Sequence, residues 1–365
     1  MKYFLLIVFC IFNNPALAKS TEHLFYLGAD LSYVNEMEDC GAKYFDKNKR
    51  KDPFALFAEK GANLIRVRLW HDADWTQYSD LPDAAKTLKR AKDQGMKTLL
   101  DFHYSDTWTD PEKQFIPKAW ANINNDDELA HLLYDYTFQT LAALDTQNLL
   151  PDFVQVGNET NIEILQAKDK LVHGIPNWTR NAKLLNSGIK AVRDYSKKSN
   201  KPIGIVLHIA QPENAIWWFK QATENGVDGY DIIGLSYYPQ WSTYKLADLP
   251  KAISALKNTY NKEVLIVETA YPYSLQNFDK AANVLGKDAV QPEFPATPKG
   301  QASYLLTLRN LVKASGGMGI VYWEPAWIST DCSTLWGQGS HWENASFFNA
   351  ADGNKSLPAF LFFSQ

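Results

Sequence analysis

Short apolar runs alternate with amphipathic segments along almost the whole chain. Eight runs rich in branched aliphatic and aromatic residues predict strands at 25–30, 62–70, 97–103, 153–159, 203–208, 231–238, 264–268 and 319–324. Most of the segments between them have the composition and spacing of helices. Strand–helix alternation repeated in this way indicates a parallel sheet, and eight repeats without a linker predict a single (β/α)8 TIM barrel of the α/β class.

Residues typical of helix ends flank the segments between the predicted strands, which supports the prediction that these segments are helices. Asp52 precedes Pro53, as at a helix N-terminus, and Gly61 follows that helix. Further helices are predicted at 81–94, 126–145, 177–196, 212–224, 247–259 and 301–314, with a less regular last one at 357–363. Because no repeat or composition break divides the chain, we expect one catalytic domain over 19–365.

The first 18 residues have the pattern of a signal peptide. Lys2 precedes the apolar residues 3–12, and Ala16 and Ala18 flank Leu17 in a small-x-small cleavage pattern. The apolar run is shorter than a membrane-spanning helix requires. We therefore expect an exported protein, secreted or periplasmic, with no membrane association once the signal is removed.

Two cysteines, Cys40 and Cys332, remain after the predicted signal. In an exported protein they can form one disulfide, since the first and last strands of a closed barrel are neighbours. Two free thiols are the alternative.

Composition narrows the classes of partner. The formal net charge of −4 provides no basic surface for nucleic acid. The 12 Trp residues suit a groove that stacks on sugar rings. Nothing in the sequence indicates an interface, so we expect a monomer.

Polar and aromatic side chains stand near the carboxyl ends of the predicted strands, where a barrel of this kind carries its active site. Each could instead be a structural residue, but a whole face of them is hard to explain by packing. The candidates are Arg66, Arg68, Asp101, His103, Asp106, Asn158, Glu159, His208, Ser236, Tyr238, Glu268, Trp323 and Glu324.

The residue types exclude several chemistries. The chain has no HxH or HExxH pattern for a metal, no glycine-rich phosphate loop after a strand, and no GxSxG elbow. We expect no metal and no cofactor. Two glutamates at strand ends, Glu159 and Glu268, remain, and a pair of carboxyl groups is what glycoside hydrolysis needs.

Five motifs carry a resemblance to a known family. They are RVRLW at 66–70, DFHYSDTWTDP at 101–111, VGNE at 156–159, VETAYP at 267–272 and YWEP at 322–325. With them the chain resembles glycoside hydrolase family 53, the endo-β-1,4-galactanases of clan A, over nearly all of its mature length. The resemblance implies endo-hydrolysis of β-1,4-galactan or type I arabinogalactan.

The resemblance also assigns the two carboxyl groups. Glu159 would be the acid/base and Glu268 the nucleophile of a retaining mechanism, with their carboxyl groups about 5–5.5 Å apart. Glu159 should then have a raised pKa, whereas the pKa of Glu268 should stay low. Either Arg66 or Arg68 would hold Glu268 ionised.

The other roles implied by the resemblance concern the substrate. Asn158 would bind the hydroxyl next to the reacting carbon, Tyr238 would hydrogen-bond the nucleophile, and Trp323 would form the floor beneath the attached sugar. His103, Asp106 and Trp108 would line the groove. From their positions at the ends of the fifth and sixth predicted strands, His208 and Ser236 are expected to be substrate-binding or supporting residues.

Two departures from the family pattern concern the leaving-group side of the cleft and a calcium site. The Trp that usually follows the acid/base is missing from residues 160–177, which concerns the leaving-group side of the cleft. The segment 271–301 holds Asp279 and Asp288 but no His, so we expect no calcium there. The alternatives are a clan relative that cleaves mannan or a cellulose-type chain, and a glycan-binding barrel without catalysis.

Overall fold

The computed structural model describes residues 24–169 and 174–364, so the predicted signal peptide lies outside the described residues. Eight parallel strands form a closed barrel, which confirms the predicted fold. We label them β1 to β8 in chain order: Tyr26–Asp30, Leu64–Leu69, Lys97–Phe102, Phe153–Val156, Gly204–Ala210, Ile232–Ser236, Glu263–Glu268 and Gly319–Tyr322. The barrel closes because β1 pairs with both β2 and β8.

The helices between the strands lie close to their predicted positions. We label them α1 to α8: Val34–Asp39, Pro53–Lys60, Leu81–Asp93, Asp126–Asp145, Trp178–Ser199, Pro212–Glu224, Leu249–Tyr260 and Pro298–Ala314. The predicted last helix is a 3-10 helix at Pro358–Phe363. Helix α1 was not predicted, because six residues are too few to show a helical periodicity.

The ends of α2 form as the sequence predicts. The Asp52 carboxylate accepts a hydrogen bond of 2.9 Å from the backbone N–H of Ala55. Gly61 ends the helix with a φ of +107°, a left-handed conformation that favours glycine. These two residues fix where α2 begins and ends before the chain enters β2.

Apolar side chains fill the lower part of the barrel. Buried aliphatic residues from six strands form this interior cluster: Leu64, Leu99, Val206, Ile232, Leu265, Val267 and Val321. A larger apolar core lies between the barrel and its helices. Polar side chains inside the barrel are therefore confined to the upper part, towards the carboxyl ends of the strands.

Short strands outside the barrel join the two ends of the chain. A four-stranded sheet pairs, in order, Phe348–Asn349, Lys355–Ser356, Tyr44–Asp46 and Lys49–Lys51. A separate hairpin pairs Ser333–Thr334 with Gly337–Gln338. Next to this hairpin, a disulfide joins Cys40 and Cys332, whose Cα atoms are 5.7 Å apart.

Within residues 24–169 and 174–364, no helix has both the length and the apolar character to cross a bilayer.

Candidate active site

A cavity of about 780 Å³ opens at the carboxyl ends of the strands. Glu159 and Glu268 both line it, together with Asn158 and Tyr238. Six tryptophans form much of the remaining wall: Trp108, Trp241, Trp323, Trp327, Trp336 and Trp342. The cavity thus combines two carboxyl groups with flat apolar surfaces.

Glu159 lies just beyond β4 on a left-handed turn. Gly157 has a φ of +84° and Glu159 a φ of +44°, so the chain bends sharply where the strand ends. The Gln114 side chain donates to the backbone carbonyls of Asn158 and Glu159, at 2.8 and 3.1 Å. The Ser236 hydroxyl donates a hydrogen bond of 2.5 Å to Oε1 of Glu159. These contacts hold the carboxyl group in one position.

Glu268 is the last residue of β7 and has two strong partners. Its Oε1 lies 2.9 Å from the guanidinium of Arg66, and its Oε2 accepts a hydrogen bond of 2.9 Å from the Tyr238 hydroxyl. A register irregularity between Leu235 and Ser236 places Ser236 opposite Glu268 on the neighbouring strand. The end of β6 therefore contributes a donor to each glutamate.

The two carboxyl groups differ in their affinity for a proton. Burial and the nearby Glu268 raise the pKa of Glu159 well above its usual value. Burial also raises the pKa of Glu268, to about 7, because the loss of water outweighs the attraction of Arg66. The expectation that the pKa of Glu268 stays low is therefore wrong. The order of the two is as expected, with Glu159 the more readily protonated.

The two candidate arginines, Arg66 and Arg68, have different carboxylate partners. Arg66 contacts Glu268 and also Asp30, Asp101 and Asn158, at 2.8–2.9 Å. Burial opposes its charge, but the three carboxylates raise the pKa of its guanidinium. Arg66 is therefore a fixed cation that connects Glu268 to the buried carboxylates of Asp30 and Asp101.

Arg68 has a different environment, although it also points into the barrel. Its guanidinium lies 3.3 Å from Glu324 and 4.1 Å above the ring of Trp108. It also faces the rings of Tyr33 and Trp70 at 4.7 Å. Arg68 thus supports the aromatic wall of the cavity.

Asn158 and His208 contact each other beside Glu159, with Nδ1 of His208 3.0 Å from Oδ1 of Asn158. The Asn158 carbonyl accepts from Arg66, and its amide donates 2.8 Å to the Thr109 carbonyl. His208 Nε2 lies 2.8 Å from the Ser236 hydroxyl. Burial and the charge of Arg66 lower the pKa of His208 well below its usual value, so the ring is neutral.

His103 and Asp106 differ from expectation, since the residues that line the cavity include neither. His103 is buried behind the wall, where it contacts Asp101 at 3.1 Å and Thr109 at 2.9 Å. Asp106 accepts from the backbone N–H groups of Asp72 and Lys118, at 3.0 and 2.7 Å, and so joins two loops. These local partners hold both side chains away from the cavity.

Trp108 and Trp323 do reach the cavity. Their ring centroids are 5.8 Å apart, and Trp323 packs edge-on against Trp342 at 4.6 Å. The Trp342 ring N–H donates to the Trp323 carbonyl at 3.1 Å. Trp323 is therefore held from both sides at the cavity wall.

Several residues that organise the site were not singled out from the sequence. Gln155 donates to Asp101 at 2.5 Å and lies 3.0 Å from Nδ1 of His208. Its signal was a polar residue between Val154 and Val156 in an apolar strand. Gln114 had no such signal, because it lies in an irregular segment distant from β4 in the sequence.

Two carboxyl groups of unequal proton affinity, one half-buried and one buried, at the carboxyl ends of barrel strands in an aromatic cavity are the arrangement that glycoside hydrolysis requires. The family model described as "Glycosyl hydrolase family 53" matches residues 26–363. The chain belongs to this family.

Relatives and solved structures agree with that assignment. An arabinogalactan endo-β-1,4-galactanase from Cellvibrio japonicus (strain Ueda107) is 73% identical over 350 residues, 96% of this chain and 93% of the relative. An endo-β-1,4-galactanase from Bacillus subtilis (strain 168) is 37% identical over 83% of this chain and 70% of its own. The solved catalytic domain of a family 53 member from Ignisphaera aggregans superposes with a TM-score of 0.84 at 33% identity, covering 93% and 95% of the two chains.

Proposed function

We propose that this protein cleaves internal β-1,4-galactosidic bonds in galactan and type I arabinogalactan. The proposal is supported by its family and by the 73% identity to a relative that is named as an arabinogalactan endo-β-1,4-galactanase. The open cavity and its six tryptophans suit a polysaccharide chain that runs across the site. We also propose that the protein works as an exported monomer.

The mechanism that fits the site best is retaining double displacement. The supporting observation is the contrast between the two glutamates: Glu268 faces the Arg66 cation and the Tyr238 hydroxyl, whereas Glu159 faces a single hydroxyl donor. Glu268 is then the ionised nucleophile, and Glu159 keeps the proton that the leaving oxygen needs.

In the first step, a Glu268 oxygen bonds to the anomeric carbon as the bond to the leaving oxygen breaks. The proton of Glu159 passes to that oxygen. In the second step, Glu159 takes a proton from water, the water oxygen bonds to the anomeric carbon, and Glu268 is released as a carboxylate. The Asn158 amide would bind the neighbouring sugar hydroxyl and Trp323 would support the sugar ring, since both side chains line the cavity.

Hydrolysis of β-1,4-galactan, mannan, xylan and soluble cellulose by the purified protein tests the substrate. Glu159→Gln and Glu268→Gln should each lose activity by several orders of magnitude. Glu263→Gln is the matched control, because Glu263 lies at the opposite end of β7 and pairs with Lys257. Cleavage of another polymer in preference to galactan would contradict the substrate, and activity in either active-site variant would contradict the residue roles.

The stereochemistry of the first product tests the mechanism separately. Proton NMR during hydrolysis should show the β-anomer appearing first and the α-anomer growing in later by mutarotation. An initial α-anomer would mean inversion and would exclude Glu268 as a nucleophile.

A further inference from the structure

A hairpin that follows β8 brings Trp336 to the edge of the cavity. Ser333 pairs with Gln338 and Thr334 with Gly337, so Trp336 lies at the turn. Its side chain is 44% exposed. The ring packs edge-on against Trp75 at 5.2 Å and lies 6.4 Å from Trp108.

Trp336 extends an aromatic wall that begins beside the catalytic pair. From Trp323 to Trp108 the ring centroids are 5.8 Å apart, and from Trp108 to Trp336 they are 6.4 Å apart. All three rings line the cavity. Indole faces pack well against the flat apolar faces of sugar rings, so this wall suits successive units of a glycan chain.

The strand pairing within the hairpin is short. Its strands are two residues long, and an isolated two-stranded ribbon has marginal stability in water. At its base, the Gly339 N–H donates to the Cys332 carbonyl at 2.9 Å, and the Gln338 side chain donates to the Asp331 carbonyl at 3.0 Å. These contacts close the hairpin. Outside it, the Lys280 ammonium donates to the Gln338 side chain at 2.8 Å, and the Trp336 ring packs on Trp75.

The disulfide supplies an attachment to the barrel wall. Cys332 immediately precedes the hairpin and is bonded to Cys40, the residue that ends α1. Helix α1 is itself well anchored, because Val34 and Met37 are buried in the main core. The covalent link therefore connects a marginal hairpin to a fixed helix, four residues before the ring of Trp336.

We propose that the Cys40–Cys332 disulfide positions Trp336 as an outlying platform for a sugar unit of long glycan substrates. The inference rests on the proposed glycan hydrolysis but concerns a part of the cavity away from Glu159 and Glu268. Without the disulfide, the hairpin samples other positions and the platform is lost, while the catalytic pair keeps its own contacts. Trp336 then determines affinity for long chains, and the two cysteines are positioning residues that act through it.

A double-mutant cycle tests the link. The wild type, Trp336→Ala, the double variant Cys40→Ser/Cys332→Ser and the triple variant are assayed on polymeric galactan and on a short chromogenic galacto-oligosaccharide. Trp336→Ala should raise KM for the polymer about tenfold, the value of one aromatic stacking contact, with kcat unchanged. The double cysteine variant should raise the polymer KM several-fold, and neither change should alter kcat/KM for the short substrate.

The triple variant separates positioning from general stability. The cysteine substitutions should raise the polymer KM no further once Trp336 is absent, even though they lower the melting temperature in both backgrounds. Assays are run well below that temperature, and mild reduction of the folded wild type with dithiothreitol provides a second route to the same state. Trp217→Ala is the control, since Trp217 is an exposed tryptophan on α6 that does not line the cavity.

An equal rise in KM from the cysteine substitutions with and without Trp336 would overturn the proposal, as would an unchanged polymer KM in Trp336→Ala. If the wild type cleaves another polymer of the panel instead of galactan, the proposed substrate fails and the same cycle is run on that polymer. A wild type that cleaves none of the polymers overturns both proposals.

Discussion

The Ser236 hydroxyl donates to Oε1 of Glu159 at 2.5 Å, while Nε2 of His208 lies 2.8 Å from the same hydroxyl oxygen. The Ser236 hydroxyl therefore joins the Glu159 carboxyl group to the ring of His208. Nδ1 of His208 lies 3.3 Å from the Glu159 backbone N and 3.0 Å from both the Gln155 side-chain N and Oδ1 of Asn158. These contacts hold Oε1 of Glu159 against Ser236.

Replacing Ser236 with Ala should change the pH profile as well as the rate. The Ser236 hydrogen bond lowers the pKa of Glu159, so its loss raises that pKa further and moves the alkaline limb of kcat/KM to higher pH. The rate at the optimum should fall about tenfold, because a buried hydrogen bond to the acid is lost. Ser236→Thr keeps the hydroxyl and should restore the profile. An alkaline limb that moves to lower pH would contradict this role.

Substitutions of Arg66 and Arg68 should have different effects on the acidic limb of the pH profile of kcat/KM. Arg66 lowers the pKa of Glu268, so Arg66→Gln should raise it and move the acidic limb to higher pH. Arg68→Gln should leave that limb in place, because Arg68 contacts Glu324 instead. The measurement is the pH dependence of kcat/KM for both variants. A larger shift of the limb in Arg68→Gln would contradict the assignment.

Arg66→Gln should also destabilise the fold. Asp30 and Asp101 are completely buried and lose their cation partner, and such a loss costs about 3–5 kcal/mol. Denaturant unfolding of the variant measures this directly. Unchanged stability would mean that the buried carboxylates have other sufficient partners.

The charge of Glu268 should control the proton affinity of Glu159. Since that charge raises the pKa of Glu159, Glu268→Gln should lower it. Carbon-13 NMR titration of the Glu159 carboxyl in the variant measures the change, with Glu263→Gln as the control. The same fall is expected when Glu268 becomes esterified to sugar, which would convert Glu159 from acid to base between the two steps. A Glu159 pKa that stays constant would exclude this coupling.

Gly157 should be irreplaceable for a reason that is local to the site. A Cβ at this position would lie 2.5 Å from Cγ2 of Thr160, and the φ of +84° strains any other residue by about 1–2 kcal/mol. Gly157→Ala should therefore displace Glu159 and lower kcat by at least tenfold. Gly226 has a similar φ of +80° with nothing near its Cβ, so Gly226→Ala should cost stability but no activity. Equal loss of activity in both would point to a general folding defect.

The fold could be predicted because each barrel strand is a distinct apolar run between amphipathic helices. Helix α4 begins and ends at the predicted residues, since Asn125 caps it and the apolar spacing is regular. The short strands at Tyr44–Asp46 and Lys355–Ser356 could not be predicted, because two or three residues show no periodicity and the pairing of Phe45 with Lys355 joins segments that are remote in sequence.

The site was less predictable than the fold. Glu159 and Glu268 were visible as carboxyl groups at strand ends, but the choice of Arg66 over Arg68 depends on where each guanidinium lies in three dimensions. The pKa of Glu268 depends on burial, which a sequence does not show. His103 was expected in the groove with Trp108, but only Trp108 lines the cavity, and His103 packs edge-on against its ring at 5.8 Å.

The pairing of β1 with β8 also sets the order in which the protein can be made. During synthesis, β1 emerges first and keeps an open edge until residues beyond 319 are available. The helix at Pro358–Phe363 comes later still, and its Phe363 ring packs on Phe57 of α2 at 5.5 Å. Barrel closure therefore has to wait for the synthesis of β8, and the packing of Phe57 against Phe363 has to wait for the 3-10 helix that follows.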